Sequence, residues 1–527
     1  MKLLVLGLDG ATFDVIDRLG SDHLPCLQAI TAAGVSGPLE STFPPVTGPA
    51  WTAFATGKNP GKTGVFGFRS RTAKNSFDVK MVTSTKIRQA GAWWDYLSNN
   101  GIKVGIWNYP VLCPPYPING FMVGGFGCSP DRDFTYPTEL KDKLLSICGT
   151  YKIAIPLSKA PYADNPSAFV EEAMELLHQN ERAIDYLLTK DTDVFVGVLS
   201  ATDFVQHYMW RFIDSSHPLY DPRMAEIYGP SFVEIWQRVD SLIENVIGKV
   251  GAHTNIMVAS DHGFGPHYQS FYINSWLESK GYLTRSKSGA ILTNTTLRSI
   301  ASKVITRLTS VNPRLSKALK EKGVRRTASL LSQIDMQKTI AFANAHATNS
   351  GQIYLNMTLQ EGSKTKIRQQ IAHELRSYCC TLGLKVNIYF PEQIYSGKFL
   401  DLAPDLLFDI NDFECSVHFR LSNSIYRELP HQAGHSGSHR RNGILIARGP
   451  DIEQGRKLQG AKIYDIAPTI LHMFGLPVPD DMDGRTLQDI FREGSQPAGR
   501  EVQYRHVDGE RERVKDRIRE LRGSTRL

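Results

Sequence analysis

The chain has 527 residues, a net charge of +7, 41% hydrophobic residues and 21% charged residues. This length exceeds one simple core, so we expect one large domain with an insertion, or two domains. The composition is that of a soluble globular protein. No apolar run is long enough to cross a bilayer, which excludes a membrane-spanning class.

The N-terminal run MKLLVLGLDGATFD contains an apolar stretch, as a signal peptide does. That stretch, Leu3–Leu8, has only six residues and ends in Asp9, so it predicts a buried strand instead. The seven cysteines have no regular spacing, and Cys379 and Cys380 are adjacent, which is not the pattern of a disulfide framework. We therefore expect a cytoplasmic protein.

Short apolar segments alternate with helical patterns along the chain. These segments are KLLVLGLD (2–9), KVGIWNYP (103–110), DVFVGVLSATD (193–203), TNIMVASDHG (254–263) and GILIARGP (443–450). The alternation predicts an α/β fold with a mostly parallel central sheet flanked by helices. Ligands gather at the carboxyl ends of such strands. Four candidate residues stand at these ends: Asp9, Asp203, Asp261 and His262.

The pattern changes between about residues 275 and 430. We predict a catalytic α/β domain from 1–275 and 431–490, an inserted cap over 276–430 that partly continues the core, and a charged helical tail over 491–527. Within the insertion, residues 285–326 carry eleven Lys or Arg and one acid. This basic segment is either a solvated surface or a lid that attracts an anionic substrate or an acidic membrane surface. No nucleic-acid motif accompanies it, so we expect no nucleic-acid polymer as partner.

Two Asp/His pairs are candidate metal ligands. Asp203 and His207 are four residues apart, so a helix beginning after the strand places both side chains on one face. Asp261 and His262 follow another strand, with glycines that allow close approach of a ligand. Asp9 adds a third carboxylate before a glycine, although a capping aspartate is the ordinary alternative.

A fourth cluster is GHSGSHRRNG (434–443), with His435 and His439 ahead of the last strand. Histidine is the commonest metal ligand near neutral pH. Four such clusters at strand ends suit two metal ions that clamp a phosphoryl group. Thr47, in PPVTGPAW, is then a candidate nucleophile at a helix start, with Pro49 expected at the first helical position.

Five ordered motifs together resemble the alkaline phosphatase superfamily and, within it, the type I phosphodiesterase/nucleotide pyrophosphatase family. They are LGLDGATFD, PPVTGPAWTAFATGKNPGKTG, ATDFVQHYMW, SDHGFGP and SGSHRRNGILIARGP. They occur in the family's order along nearly the whole chain. The resemblance implies an alkaline-phosphatase-like fold and two divalent metal ions, usually zinc and in some branches manganese.

The resemblance also implies roles for single residues. One metal would be held by Asp9, Thr47, Asp261 and His262, and the other by Asp203, His207 and His439, with His435 the alternative to His439. Thr47 would attack phosphorus, giving a phosphothreonine that water then hydrolyses with overall retention. Candidate substrate-binding residues are Gly48, Lys58, Asn59, Lys62, His267 and His435, although a surface turn explains GKNPGK equally well.

The expected function is a metal-dependent phosphoric ester hydrolase acting on a phosphodiester or a nucleotide pyrophosphate. A phosphomonoesterase, a phosphonate hydrolase and a phosphotransferase are the alternatives within the superfamily. A sulfatase is disfavoured because that branch of the superfamily uses a Cys or Ser modified to formylglycine, and no cysteine lies in 44–51. A non-catalytic binding protein would have lost ligand residues, and every expected position in this sequence is filled. The substrate itself, beyond a small phosphate ester, and the oligomeric state are left open.

Overall fold

The computed structural model describes residues 1–74, 76–155, 162, 165–286, 333–344, 350–357, 359–429 and 435–507. Most of the basic segment 285–326 and the end of the tail from 508 lie outside the described residues. The predictions made for these parts, membrane-surface contact and a terminal helix, are therefore untested there. None of the helices in the described ranges combines the length and apolarity that a membrane span requires.

The strands alternate with the helices along most of the chain. In chain order they are β1 (Leu3–Leu8), β2 (Val35–Glu40), β3 (Arg69–Arg71), β4 (Val79–Met81), β5 (Val104–Tyr109), β6 (Gly120–Gly124), β7 (Thr135–Tyr136), β8 (Val194–Leu199), β9 (Asn255–Ala259), β10 (Gly263–Pro266), β11 (Gln269–Tyr272), β12 (Ala341–Phe342), β13 (Gly351–Leu355), β14 (Val386–Tyr389), β15 (Leu406–Ile410), β16 (Cys415–His418), β17 (Tyr426–Arg427), β18 (Gly437–Arg440), β19 (Asn442–Arg448), β20 (Arg456–Lys457), β21 (Ala461–Lys462), β22 (Val478–Pro479) and β23 (Tyr504–Arg505).

The α-helices vary from single turns to α10, the longest in the described ranges. In chain order they are α1 (Phe13–His23), α2 (Pro25–Ala33), α3 (Thr47–Thr56), α4 (Pro60–Thr63), α5 (Ser84–Ala90), α6 (Trp93–Asn99), α7 (Leu140–Cys148), α8 (Pro166–Leu187), α9 (Ala201–Met209), α10 (Pro222–Lys249), α11 (Ile273–Ser279), α12 (Glu361–Thr381), α13 (Pro391–Ile394) and α14 (Ile466–Met473). Single 3₁₀ turns occur at Trp210–Phe212, Leu400–Leu402, Ile463–Asp465 and Gln488–Ile490.

Within the described residues, the central sheet has ten strands in the order β20-β2-β19-β9-β1-β8-β5-β6-β7, with β21 also paired to β2. β1 lies between β8 and β9 and pairs with both in parallel, and β5 continues the parallel set to β6. β19 runs antiparallel to β9 and β2, and β7 runs antiparallel to β6. The predicted α/β fold with a mostly parallel sheet flanked by helices is confirmed.

Alternate residues of the central strands enter two separate cores. Leu4 and Leu6 face one core, which contains buried residues of α1, α2, α8, α9 and α10. Leu3 and Val5 face the other, which contains buried residues of α3, α5, α6 and α14. Strands covered on both faces have continuous apolar sequences, and this explains the apolar runs seen in the sequence.

A second sheet lies between Gln269 and Arg427; seven of its strands belong to the described part of this range, with β11, β16 and β15 at its centre. It encloses its own core, in which Phe271, Trp276 and Phe408 are fully buried. The division of the chain into the domain, cap and tail ranges above stays a prediction.

Cys113 and Cys128 form a disulfide between the loops that follow β5 and β6. This pair was not predicted, because two cysteines fifteen residues apart carry no pairing signal when the other five are irregularly placed. The remaining five cysteines are free thiols. The compartment of the protein stays a prediction.

The contact of β1 with α3 leaves no space for a side chain at Gly7. A Cβ there would lie 2.5 Å from Cη2 of Trp51 and 2.9 Å from Cγ2 of Val198. We predict that Gly7→Ala lowers the free energy of unfolding by about 1 to 3 kcal/mol, as overpacking of a core does. Urea unfolding measures the change.

The matched control is Gly248→Ala in α10, where a Cβ meets no atom within 4 Å. This change should leave the free energy of unfolding unchanged or raise it by up to about 1 kcal/mol, since alanine favours a helix over glycine. Equal stabilities of the two variants would contradict the packing described for β1 and α3.

Candidate metal centre

The candidate ligands lie where three neighbouring strands end. Asp9 follows β1, Asp203 lies in the first turn of α9 after β8, and Asp261 and His262 follow β9. Because β8, β1 and β9 are adjacent and parallel, their carboxyl ends meet at one edge of the sheet. This is the edge at which α/β proteins bind their ligands.

The first ligand cluster consists of Asp9, Asp261 and His262. Nε2 of His262 lies 3.6 Å from Oδ1 of Asp9 and 3.3 Å from Oδ2 of Asp261. All three side chains are buried, and Asp261 and His262 are fully so. The other carboxylate oxygen of each aspartate accepts a hydrogen bond from outside the cluster. Trp51 Nε1 donates to Asp9 Oδ2 at 3.1 Å, and Gly10 N donates to Asp261 Oδ1 at 3.2 Å.

The second ligand cluster consists of Asp203, His207 and His439. Oδ1 of Asp203 lies 3.4 Å from Nε2 of His207 and 3.2 Å from Nε2 of His439. The two Nε2 atoms are 3.0 Å apart. Two nitrogens bound tetrahedrally to one zinc ion at ordinary Zn–N distances lie about 3.3 Å apart, so this spacing fits a shared metal.

His439 reaches the cluster from a small antiparallel ribbon. It lies on β18, which pairs with β10 so that His439 stands opposite Phe264. β10 begins directly after His262, and the rings of His262 and His439 stack with centroids 3.7 Å apart. The ribbon therefore brings a ligand from the C-terminal part of the chain against the first cluster, and the two clusters are neighbours.

The free oxygens of the aspartates show how well a cation fits. Oδ1 of Asp9, Oδ1 of Asp203 and Oδ2 of Asp261 are buried and have no hydrogen-bond donor within the described part of the chain. Buried carboxylate oxygens without donors are rare in folded proteins, because desolvation is costly. Each of these atoms faces its cluster, so a divalent cation bound there would supply the missing partner. The residues present fit a metal.

The three histidines are oriented for metal binding by backbone carbonyls. Nδ1 of His207 lies 2.9 Å from Gly437 O, Nδ1 of His439 lies 2.9 Å from Pro45 O, and Nδ1 of His262 lies 3.1 Å from Gly263 O. A carbonyl can only accept, so Nδ1 carries the proton in each ring. The lone pair is then on Nε2, the atom that faces the carboxylates.

The electrostatics of the centre also favour a cation. Burial, with Asp261 and Asp203 close by, raises the pKa of Asp9 well above its ordinary value, and burial raises the pKa of Asp261 to about 7. Burial also raises the pKa of Asp203, but His207 and His439 outweigh it and the net shift is downward. Burial lowers the pKa of His207 and His262, which keeps both rings neutral and able to bind metal.

Thr47 lies at the N-terminus of α3, beside the first cluster. Its Oγ1 is 3.5 Å from Nε2 of His262, a spacing expected of two ligands on one metal rather than of a short hydrogen bond. The helix begins at Thr47, with Val46 as N-cap, so the expectation that Pro49 opens the helix is wrong by two residues. The first intrahelical bond joins Ala50 N to Val46 O, so the N–H groups of Thr47 and Gly48 precede it.

The loop before Thr47 is fixed by the second sheet. Phe43 packs against Tyr389 and Phe413, with ring centroids 4.7 and 5.8 Å apart. The hydroxyl of Tyr395 donates to the carbonyl of Phe43 at 2.5 Å. The position of Thr47 therefore depends on residues more than 300 positions later in the chain.

The other candidate histidines, His435 and His267, are not members of the two ligand clusters. The ring centroid of His435 is 5.1 Å from that of His207 and 4.7 Å from that of Tyr208. His267 is buried, its Nε2 lies 3.0 Å from Gln269 O, and burial lowers its pKa to about 3. Burial lowers the pKa of His435 as well, so His435 and His267 are both neutral, while His439 is the residue that joins the cluster.

The remaining substrate-binding candidates lie in two different places, at opposite ends of α3. Gly48 lies next to Thr47, where a Cβ would come within 3.2 Å of Gly67 O. Lys58 and Asn59 lie beyond the other end of α3 instead. Nζ of Lys58 donates to Ala90 O and pairs with Asp481, and Asn59 bonds Asp483 and Ser396. The structure brings Gly48 to the centre and directs Lys58 and Asn59 to partners outside the ligand clusters.

Two contacts that sequence reasoning missed support the ligands. Trp51, one turn after Thr47 on α3, is fully buried and holds Asp9. Its own carbonyl accepts a 2.7 Å bond from Tyr109 OH. A tryptophan in the apolar run AWTAFA gives no signal of a metal-site role, because it is expected in any buried helix.

Comparison with known proteins shows which family the chain matches. The model of the family "type I phosphodiesterase / nucleotide pyrophosphatase" matches residues 3–368. The chain belongs to this family. Its enzymes are metal-dependent and hydrolyse phosphoric ester and pyrophosphate bonds in small substrates such as nucleotides. This family member is therefore a phosphoric ester hydrolase. A search of curated protein sequences found no match.

Solved structures of the same family share the fold. Human ectonucleotide pyrophosphatase/phosphodiesterase 5 superposes with a TM-score of 0.51 at 12% identity, over 94% of this chain and 100% of that one. The murine protein of the same name gives a TM-score of 0.51 at 12% identity, over 93% and 100%. At this identity the likeness supports the fold alone.

The Trp51–Asp9 hydrogen bond yields a prediction about metal affinity. Trp51→Phe removes the donor and keeps a buried aromatic ring, so Asp9 loses the partner that orients it. We expect zinc affinity at the first cluster to fall about 10- to 100-fold, as loss of an outer-shell partner does. Competition with a chelator of known affinity measures the zinc affinity of each folded variant, whether or not the variant is active.

Trp236→Phe is the matched control, because Trp236 is fully buried in α10 and its Nε1 has no hydrogen-bond partner in the described residues. It should leave zinc affinity within about twofold. If both variants bind zinc like the parent chain, Trp51 does not orient Asp9.

Proposed function

We propose that the chain hydrolyses a phosphodiester or a nucleotide pyrophosphate, with Thr47 as nucleophile and two divalent metal ions, zinc or manganese. The observation that carries this proposal is the pair of ligand clusters at one sheet edge, with the Thr47 hydroxyl 3.5 Å from His262. A two-cluster arrangement of this kind suits in-line displacement at phosphorus.

Each cluster would hold one ion, the first through Asp9, Asp261, His262 and Thr47, and the second through Asp203, His207 and His439. When bound, the metals would neutralise charge on the phosphoryl oxygens and make the attacking and leaving oxygens better able to carry negative charge. Three carboxylate oxygens without a donor among the described residues, and the three Nε2 lone pairs, support this assignment.

The chain's own part in the reaction begins with Thr47. Its Oγ1 loses its proton to solvent and forms a bond to phosphorus while the bond from phosphorus to the departing ester oxygen breaks. This gives an alcohol or nucleotide, which leaves with a proton, and a phosphothreonine that still carries the second ester group of the substrate. Water then attacks the same phosphorus and gives up a proton, while Oγ1 departs and takes one up, which releases the phosphate monoester. Two inversions give retention overall. The N–H groups of Thr47 and Gly48 face the non-bridging oxygens from the positive end of α3.

The nucleophile assignment makes a direct prediction. Thr47→Ala should lower the turnover of bis-p-nitrophenyl phosphate by roughly 10⁴-fold or more, since loss of a nucleophile in hydrolases costs that order of magnitude. Thr47→Ser keeps a hydroxyl and should retain part of the activity. After reaction with this substrate, acid-quenched mass spectrometry should detect a peptide whose Thr47 carries a p-nitrophenyl phosphoryl group in the parent chain, and no such adduct at this position in Thr47→Ala.

Thr56→Val is the matched control, because Thr56 is also buried in α3 and its hydroxyl bonds to Thr52 O, away from both ligand clusters. It should keep turnover within a few-fold. Full metal-dependent turnover of Thr47→Ala would contradict the assignment.

Metal stoichiometry tests the two-cluster proposal separately. The reconstituted chain should retain about two zinc ions after gel filtration, and His207→Ala about one, because only the second cluster loses a ligand. Elemental analysis gives the ratio. Two tightly held ions in His207→Ala would contradict the division of ligands, and fewer than one in the parent chain would contradict the centre.

A further inference from the structure

A cavity of about 230 Å³ lies beside the stretch GKNPGKTG, away from the metal centre. Its lining contains four lysine ammonium groups and one carboxylate, together with an aromatic ring. These residues are Lys58, Lys62, Lys86, Lys398, Asp481 and Phe399.

This cavity is separate from the nucleophile. Thr47 opens α3, and Lys58 follows the end of that helix at Thr56. A helix of this length spans about 15 Å. A small ligand cannot contact Thr47 and Lys58 together, so the substrate-binding role expected of Lys58 does not explain why these lysines are grouped.

The walls of the cavity are held in place by close backbone approaches. Phe399 N donates to Gly61 O at 2.9 Å. At Gly64, with φ of +72°, a Cβ would lie 3.0 Å from the Phe399 ring and 3.1 Å from Lys86 Nζ. A Cβ at Gly397, with φ of +121°, would lie 2.6 Å from Lys62 Cγ. Only glycine allows the 396–399 loop and the 57–64 turn to pack this tightly.

The charges around the cavity are unevenly compensated. Lys58 is 5% exposed and pairs with Asp481, and Lys62 pairs with Asp483 at 2.7 Å. Nζ of Lys86 lies 4.6 Å from the centroid of the Phe399 ring, and no carboxylate pairs with it in the described ranges. Burial lowers the pKa of Lys86. An ammonium group partly removed from water gains from an anionic partner.

We propose that this cavity is a second binding site, for a small anion with phosphate groups, of about the size of inorganic pyrophosphate. Lysine ammonium groups bind phosphate as point charges and need no fixed geometry. The volume is below the roughly 300 Å³ at which pockets for drug-sized ligands begin. It therefore suits a di- or triphosphate group without its nucleoside. Bound there, the anion joins the 57–64 turn to the 396–399 loop.

The test is calorimetric titration of inorganic pyrophosphate into the metal-free full-length chain at low ionic strength. Saturable binding at one site per chain is expected. Lys86→Met should weaken it about tenfold or more, since one hydrogen bond to a charged group contributes this order of affinity. Lys398→Met, on an exposed residue that can be changed without disturbing the fold, should weaken it in the same direction.

Two controls distinguish binding in this cavity from a general charge effect and from binding at the metal centre. Lys80→Met, at an exposed position of β4, removes one positive charge outside the cavity and should leave the affinity unchanged. Thr47→Ala should also leave it unchanged, which separates the cavity from the metal centre and from the proposed function. Absence of saturable binding, equal affinity in both cavity variants and the parent, or loss of binding in Thr47→Ala would each overturn the proposal.

Discussion

The centre depends on the parallel pairing of β1 with β8 on one side and β9 on the other. This pairing places three aspartates and a histidine at one buried edge, where water cannot solvate the carboxylates. The cost of leaving Asp9, Asp203 and Asp261 each with an oxygen that no described residue bonds is large. The arrangement makes physical sense when a divalent cation completes each cluster. His207 and His262, whose pKa values burial lowers, stay neutral and are suitable metal ligands.

The loop and the helix that carry Thr47 are joined to the two clusters by a few direct bonds. Trp51 connects α3 to Asp9, and Pro45 O, two residues before Thr47, accepts from Nδ1 of His439. The loop that presents Thr47, together with the helix it opens, therefore contacts a ligand from each cluster. Phe43, in the same loop, is held by the second sheet. If the second sheet moved relative to the central sheet, these contacts would displace the loop that carries Thr47.

Much of the fold and of the candidate ligand set could be predicted from local sequence, because strand-end acids and the i,i+4 spacing of Asp203 and His207 are local patterns. The α/β fold followed from alternating apolar runs. The support of Asp9 by Trp51 could not be predicted, since it joins residues 42 positions apart. Lys58 and Asn59 bind Asp481 and Asp483, more than 420 residues away, and no local pattern distinguishes that from substrate binding. The Cys113–Cys128 disulfide escaped prediction because the irregular spacing of the seven cysteines carries no pairing signal.

The most direct measurement of the central claim is anomalous diffraction at the zinc edge from crystals of the zinc-loaded chain. We expect two peaks. One should lie about 2.0 to 2.2 Å from ligand atoms of Asp9, Asp261 and His262, and the other at that distance from Asp203, His207 and His439. A single peak, or zinc held by other residues with these six side chains unligated, would contradict the two-metal centre.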